Sequence, residues 1–158
     1  MLLGKKRKLG RQIGEITTGE TLTLTEKIED KDLLLYLGLT DDANPLYIQH
    51  NYASLTPYKK PVVPAIMLTG IICSAVSKYL PGPGSYILEQ NLAFLKPIFH
   101  YTMVEYQFEV KEVDQDQNII IIELVALNEQ KEQVIKGSLT VQPPCQIECK
   151  DGDALDNF

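Results

Sequence analysis

The chain has 158 residues, room for one domain of ordinary size. Hydrophobic residues at 44% and charged residues at 23% are the balance of a globular protein, which excludes global disorder and low-complexity fibre. Fifteen Lys and Arg against 21 Asp and Glu leave a formal charge of -6, which argues against a nucleic-acid binder.

No stretch reaches the 18 or so uninterrupted apolar residues of a membrane-spanning helix, and the longest weakly polar segment, 61–76, contains Pro61 and Pro64. Lys5, Lys6, Arg7 and Lys8 are followed by no apolar secretory core, so the expected location is the cytoplasm. The three cysteines, Cys73, Cys145 and Cys149, are an odd count, with two of them in a polar tail, and structural disulfides are not expected. With only His50 and His100 and no CxxC, a structural zinc site has little to build from.

Residues 1–16 hold five basic side chains interleaved with glycines and read as a flexible, solvated basic arm. Residues 17–143 read as the folded domain, and 144–158 as a flexible acidic tail without periodicity. Within the domain, TLTLTEKI at 21–28 alternates with period two, a strand turning Leu22, Leu24 and Ile28 inward. Acids lead an apolar run from Asp30 to Gly38, the pattern of a short helix. Asx residues and Pro45 make 40–47 a loop, and a weak helix over 48–55 breaks before Pro57.

The most apolar segment, 65–80, begins after Pro64 and ends at PGPG, which predicts a helix wrapped by other structure. Four strands follow, 86–94, 103–113, 119–127 and 134–141, separated by polar breaks DQDQN and NEQKEQ. One buried helix ahead of a run of long antiparallel strands is an α+β plan in which a curved sheet grips the helix. The strands read as apolar all round, and such a surface together with open sheet edges predicts a homodimer.

The run YLGLTDDANPLY at 36–47 resembles the hydratase signature of MaoC-like proteins and (R)-specific enoyl-CoA hydratases, with Asp42, Asn44, Pro45 and Leu46 matching. PVV at 61–63, the helix near Ala65, LPGPGS at 80–85, and Gln90, Leu92, Phe94, Pro97 and Phe99 extend the resemblance over about 18–143. The resemblance implies a hot-dog fold, working as a dimer on acyl thioesters of coenzyme A or acyl-carrier protein, with no cofactor beyond the carrier that is part of the substrate. It also implies water addition to a trans-2-enoyl group, which needs one group to take a proton from water and another to deliver one to the α carbon.

On this pattern Asp42 stands at the family's catalytic Asp, while the catalytic His position holds Tyr47 and the preceding glycine is Asp41. The family's His-Gly ahead of the central helix is Pro64-Ala65, so the Ala65 N–H would polarise the thioester carbonyl at the positive end of the helix dipole, with Asn44 and Ile66 as further substrate contacts. A phenol titrates near 10 and is a poor base at neutral pH, but it donates a hydrogen bond or proton. The resemblance thus implies an acyl-thioester hydratase or dehydratase with an altered site, Asp42 and Tyr47 being its catalytic candidates. The alternative is an inactive acyl-thioester-binding partner subunit or sensor, with thioesterase activity a third option. Asp42 and Asn44 also fit the simpler role of Asx-turn residues, His50 reads as a surface histidine one helical turn beyond Tyr47, and His100 as a solvated residue of a strand connection.

Overall fold

A computed structural model describes residues 9–145. After a 3-10 turn (Ile13–Glu15) come β1 (Thr21–Glu26), α1 (Asp30–Thr40), α2 (Pro45–Ile48), α3 (His50–Leu55), α4 (Ala65–Lys78), β2 (Tyr86–Phe94), β3 (Val104–Asp114), β4 (Ile119–Leu127) and β5 (Gln133–Gln142). The strands form one sheet in the order β1-β3-β4-β5-β2, every neighbouring pair antiparallel.

Alternation decides which face of the sheet is buried. Val104, Tyr106, Phe108 and Val110 of β3 point inward with Ile120, Ile122, Leu124 and Ala126 of β4 and Ile135, Leu139 and Val141 of β5. The residues between them in β3, Glu105, Gln107 and Glu109, are polar and face out. The expectation of strands apolar all round is corrected for β3, whose outward face is polar, whereas β4 turns the half-buried Ile119, Ile121, Val125 and Leu127 to that same face. Register shifts at Ile87/Glu89 in β2 and Val110/Glu112 in β3 bend the sheet. At Gly137 a Cβ would land on the Asn91 carbonyl, so the close approach of β2 to β5 requires glycine there.

α4 lies in the concave face. Leu68, Ile72, Ala75 and Val76, spaced at i, i+4, i+7 and i+8, pack into the sheet core, each large side chain contributing about 1.5–3 kcal/mol. The sheet covers that face alone, and Ile66 on the other remains 58% exposed. The cluster contains no polar or charged residue, although Tyr106 brings a hydroxyl into it that finds no partner among the described residues.

The arm boundary at residue 16 is also corrected. The Gly10 N–H donates to the Pro83 carbonyl at 2.7 Å and the Arg11 N–H to the Pro81 carbonyl at 3.0 Å, while Ile16 is buried and Ile13 packs against the core. Arg11 Nη1 pairs with Glu20 Oε2 at 2.6 Å. Composition did not reveal this because the contacts are made by backbone, two isolated isoleucines and a single arginine. At the other boundary Pro144 is buried, and a Cβ on Gly84 would come within 3.0 Å of it. The Lys5–Lys8 cluster and residues 146–158, including Cys149, lie outside the described residues.

Candidate active site

The site is assembled at the end of α1. Asp41 caps that helix in the left-handed conformation (φ 55°, ψ 24°), its N–H donating to the Leu37 carbonyl at 2.8 Å. A left-handed cap reverses the chain within one residue, which is why glycine suits the position and Asp, among the better-tolerated alternatives, can fill it. The reversal brings Asp42 back against the last turn of α1, where the Tyr36 hydroxyl donates to Asp42 Oδ2 at 2.6 Å. Thr40 Oγ1 donates to the Tyr36 carbonyl at 2.8 Å and accepts from the Asp42 N–H at 3.3 Å, holding the turn closed.

The other carboxylate oxygen, Asp42 Oδ1, accepts from the Asn44 N–H at 3.2 Å, and Asn44 Oδ1 accepts from the Leu46 N–H at 3.0 Å. Asn44 is thus the N-cap of α2, with Pro45 at the first helical position. Its side-chain oxygen is committed to that cap. The expectation of a loop through 47 is adjusted, since α2 begins at Pro45 once the cap is made.

α2 is tied to the start of α4. The Val62 N–H donates to the Leu46 carbonyl at 3.1 Å and the Val63 N–H to the Ile98 carbonyl at 2.8 Å. Buried Pro64 is the N-cap of α4 and supplies no N–H, whereas the N–H groups of the exposed residues Ala65 and Ile66 precede the first hydrogen bond of the turn, from the Met67 N–H to the Pro64 carbonyl at 3.0 Å.

Between α1 and α4 runs a groove of about 760 Å³, walled by Leu24, Leu35, Met67 and Gly70, with Tyr36, Thr40 and Ile66 at its α1 and α4 sides. That volume suits a small organic ligand or the acyl part of a larger one. Tyr47 and Ala65 line a separate pocket of about 320 Å³ with Val63, Phe94 and Ile98. The structure therefore joins Asp42 to the larger groove through Tyr36, places Ile66 in that groove, and puts Tyr47 and Ala65 together beside it. The Asp42 carboxylate pushes the Tyr36 phenol above its ordinary range, burial adds to the push, and Tyr47 lies near enough to contribute.

His50 is exposed and opens α3. His100 is not solvated as expected: its side chain is only 12% exposed, Nδ1 lies 3.2 Å from Asp30 Oδ1, and Nε2 is buried without a partner among the described residues. The connection carrying it folds back over the start of α1, where the Tyr101 N–H donates to the Ile28 carbonyl at 2.8 Å. Among the described residues Cys73 and Cys145 are free, no group of three His, Cys, Asp or Glu is placed to hold a metal, and no helix is long and apolar enough to cross a membrane. Tyr36 and Thr40 are the site residues that sequence reasoning passed over. Their signal is a Tyr and a Thr one turn apart at a helix end that leads straight into an Asp.

An antiparallel sheet curved about one long helix, with a carboxylate secured in the connection ahead of that helix, defines a hot-dog protein. The chain belongs to the MaoC-like domain family, whose model matches residues 11–132. It is similar to the (R)-specific enoyl-CoA hydratase of Aeromonas caviae, 24% identical over 82% of this chain and 96% of the relative. It also resembles the enzyme of the same name from Rhodospirillum rubrum, 31% identical over 53% of this chain, a match that spans 58% of the relative's length. Among solved structures, the R-hydratase of Pseudomonas aeruginosa in its unliganded form superposes with a TM-score of 0.80 at 25% identity, covering 90% of this chain and 93% of that one. The A. caviae (R)-hydratase involved in PHA biosynthesis gives 0.78 at 24% identity, covering 82% and 98%.

Proposed function

We propose that the protein adds water to trans-2-enoyl thioesters of coenzyme A or acyl-carrier protein, or removes it in the reverse direction, as a cytoplasmic homodimer. The observation that carries this reading is the Asp42 carboxylate, set at the family's catalytic position and joined by Tyr36 to an apolar groove beside the start of α4. In this reading Asp42 accepts the proton of the attacking water and the acyl chain occupies the groove past Ile66. The thioester carbonyl oxygen is polarised by the first amides of α4, those of Ala65 and Ile66, at the positive end of the helix dipole. Asn44 acts through the loop it caps.

A second reading, an acyl-thioester-binding subunit without turnover, is favoured by one observation: the family's histidine position holds Tyr47, a phenol. Purified protein with crotonyl-CoA and longer trans-2-enoyl-CoAs, followed by loss of enoyl absorbance, separates the two. Hydration supports the enzyme. Binding of the same thioesters without absorbance change supports the binding subunit.

A further inference from the structure

We infer that the Tyr36 hydroxyl, rather than Tyr47, delivers the proton to the α carbon of the substrate and is then reprotonated by Asp42; the inference rests on the hydration reading above. Three features of the site carry it. The Tyr36 hydroxyl is 2.6 Å from Asp42 Oδ2, a short hydrogen bond of the charge-assisted kind. Tyr36 lines the groove between α1 and α4, whereas Tyr47 lines the pocket beside it. Among the described residues Tyr36 is the side chain hydrogen-bonded to the Asp42 carboxylate, whose other oxygen accepts the Asn44 N–H.

The proton balance closes on these two groups. As the water oxygen bonds to C3, the carboxylate of Asp42 takes one water proton. The electron pair of the C2=C3 bond moves to C2 and into the thioester carbonyl. C2 then forms its C–H bond with the Tyr36 hydroxyl proton, and the phenolate left behind recovers a proton from the Asp42 carboxylic acid across their contact. The water oxygen keeps one proton as the product hydroxyl, the other passes through Asp42 to Tyr36, the proton that Tyr36 gave up is on C2, and both side chains return to their starting states.

The electrostatics favour this order. In the resting protein the negative carboxylate holds the phenol protonated. Once water has given its proton to Asp42 that charge is gone, and Tyr36 becomes a stronger acid when the enolate needs one. The arrangement does without an imidazole, and it predicts a pH dependence that an imidazole cannot give, since a histidine acid loses its proton near pH 6.5.

The test uses crotonyl-CoA with wild type, Tyr36→Phe and Tyr47→Phe across neutral to alkaline pH. Tyr36→Phe is expected to lower kcat by about 100-fold or more with KM unchanged, and Tyr47→Phe to lower kcat by far less than Tyr36→Phe does. Wild-type kcat/KM is expected to stay level through the pH range where an imidazole would deprotonate. A ring-fluorinated tyrosine at position 36 keeps shape and hydroxyl while acidifying the phenol, so an alkaline limb should move down with it, which a merely supporting hydrogen bond would not produce. Tyr36→Phe with wild-type kcat, or an alkaline limb near 6.5, overturns the role of Tyr36 while hydration stands. A wild type that binds crotonyl-CoA without hydrating it overturns the hydration reading and this role together.

Discussion

Gly10 lies against Gly82 with no space for a side chain: a Cβ on Gly10 would stand 2.9 Å from the Gly82 Cα and 2.6 Å from the Pro81 carbonyl oxygen. Beside it, the Gly10 and Arg11 N–H groups are hydrogen-bonded to the same turn. Gly10→Ala is therefore expected to destabilise by about 1–3 kcal/mol. Thermal melts of Gly10→Ala and of a variant lacking residues 1–12 should both shift downward by several degrees. Unchanged melts would mean that this segment contributes nothing to the fold.

Asp41 is the next position where backbone conformation sets the outcome. A left-handed residue other than glycine carries a steric cost of about 1–2 kcal/mol, lower for Asp than for a β-branched residue. Asp41→Gly should leave stability equal or higher, and Asp41→Val should lower it by about 1–2 kcal/mol in urea unfolding. A stabilised Val variant would show that the cap is not what turns the chain.

Asp42→Asn keeps the size of the side chain and an acceptor for the Tyr36 hydroxyl but removes the base. Hydration should fall by about 10²–10⁴ while acyl-CoA affinity stays near wild type. Tyr47→His restores the family residue in the pocket beside the groove, and with Tyr36 supplying the proton it should leave turnover near that of wild type. Single-turnover rates and equilibrium binding with the same thioester separate chemistry from affinity. An Asp42→Asn protein as active as wild type would remove Asp42 from the mechanism.

Glu29 heads α1 between Lys27 Nζ at 2.9 Å and Lys31 Nζ at 3.0 Å. Their hydrogen bonds and charges hold its carboxyl below the usual 4.5. A folded-state value lower than the unfolded one means a stabilisation present above that usual value and lost as pH falls through the folded value. Glu29→Gln should be slightly less stable at neutral pH and show a shallower loss on acidification. A parallel pair of stability curves would rule out this linkage.

β2 is an edge strand, and Tyr86, Leu88 and Phe94 on it are all more than two-fifths exposed. An unpaired edge with exposed apolar side chains is the natural seam for a second copy. Sedimentation at micromolar concentration should give a dimer. A monomer there would remove the support that this edge lends to a homodimer.

Much of the fold was legible in the chain because local rules and tertiary packing agree. Pro64 and PGPG bound α4, and the polar breaks after Asp114 and Leu127 place the turns between β3, β4 and β5 within a residue or so of the structure. The turn through the DDANP run was legible as well, since left-handed caps and Asx turns are short-range chemistry. What only the tertiary structure decided are relations between groups whose local pattern is silent. Tyr36 reads as one more apolar position on α1, and only the reversal at Asp41 sets its hydroxyl on Asp42. The segment from Gly10 to Ile16 has no periodicity, yet it is held by backbone hydrogen bonds to a turn some 70 residues away. His100 meets Asp30 across the same kind of gap. Hydrophobic period and turn residues encode what each segment becomes, whereas the pairing of polar groups distant in sequence depends on how the segments pack.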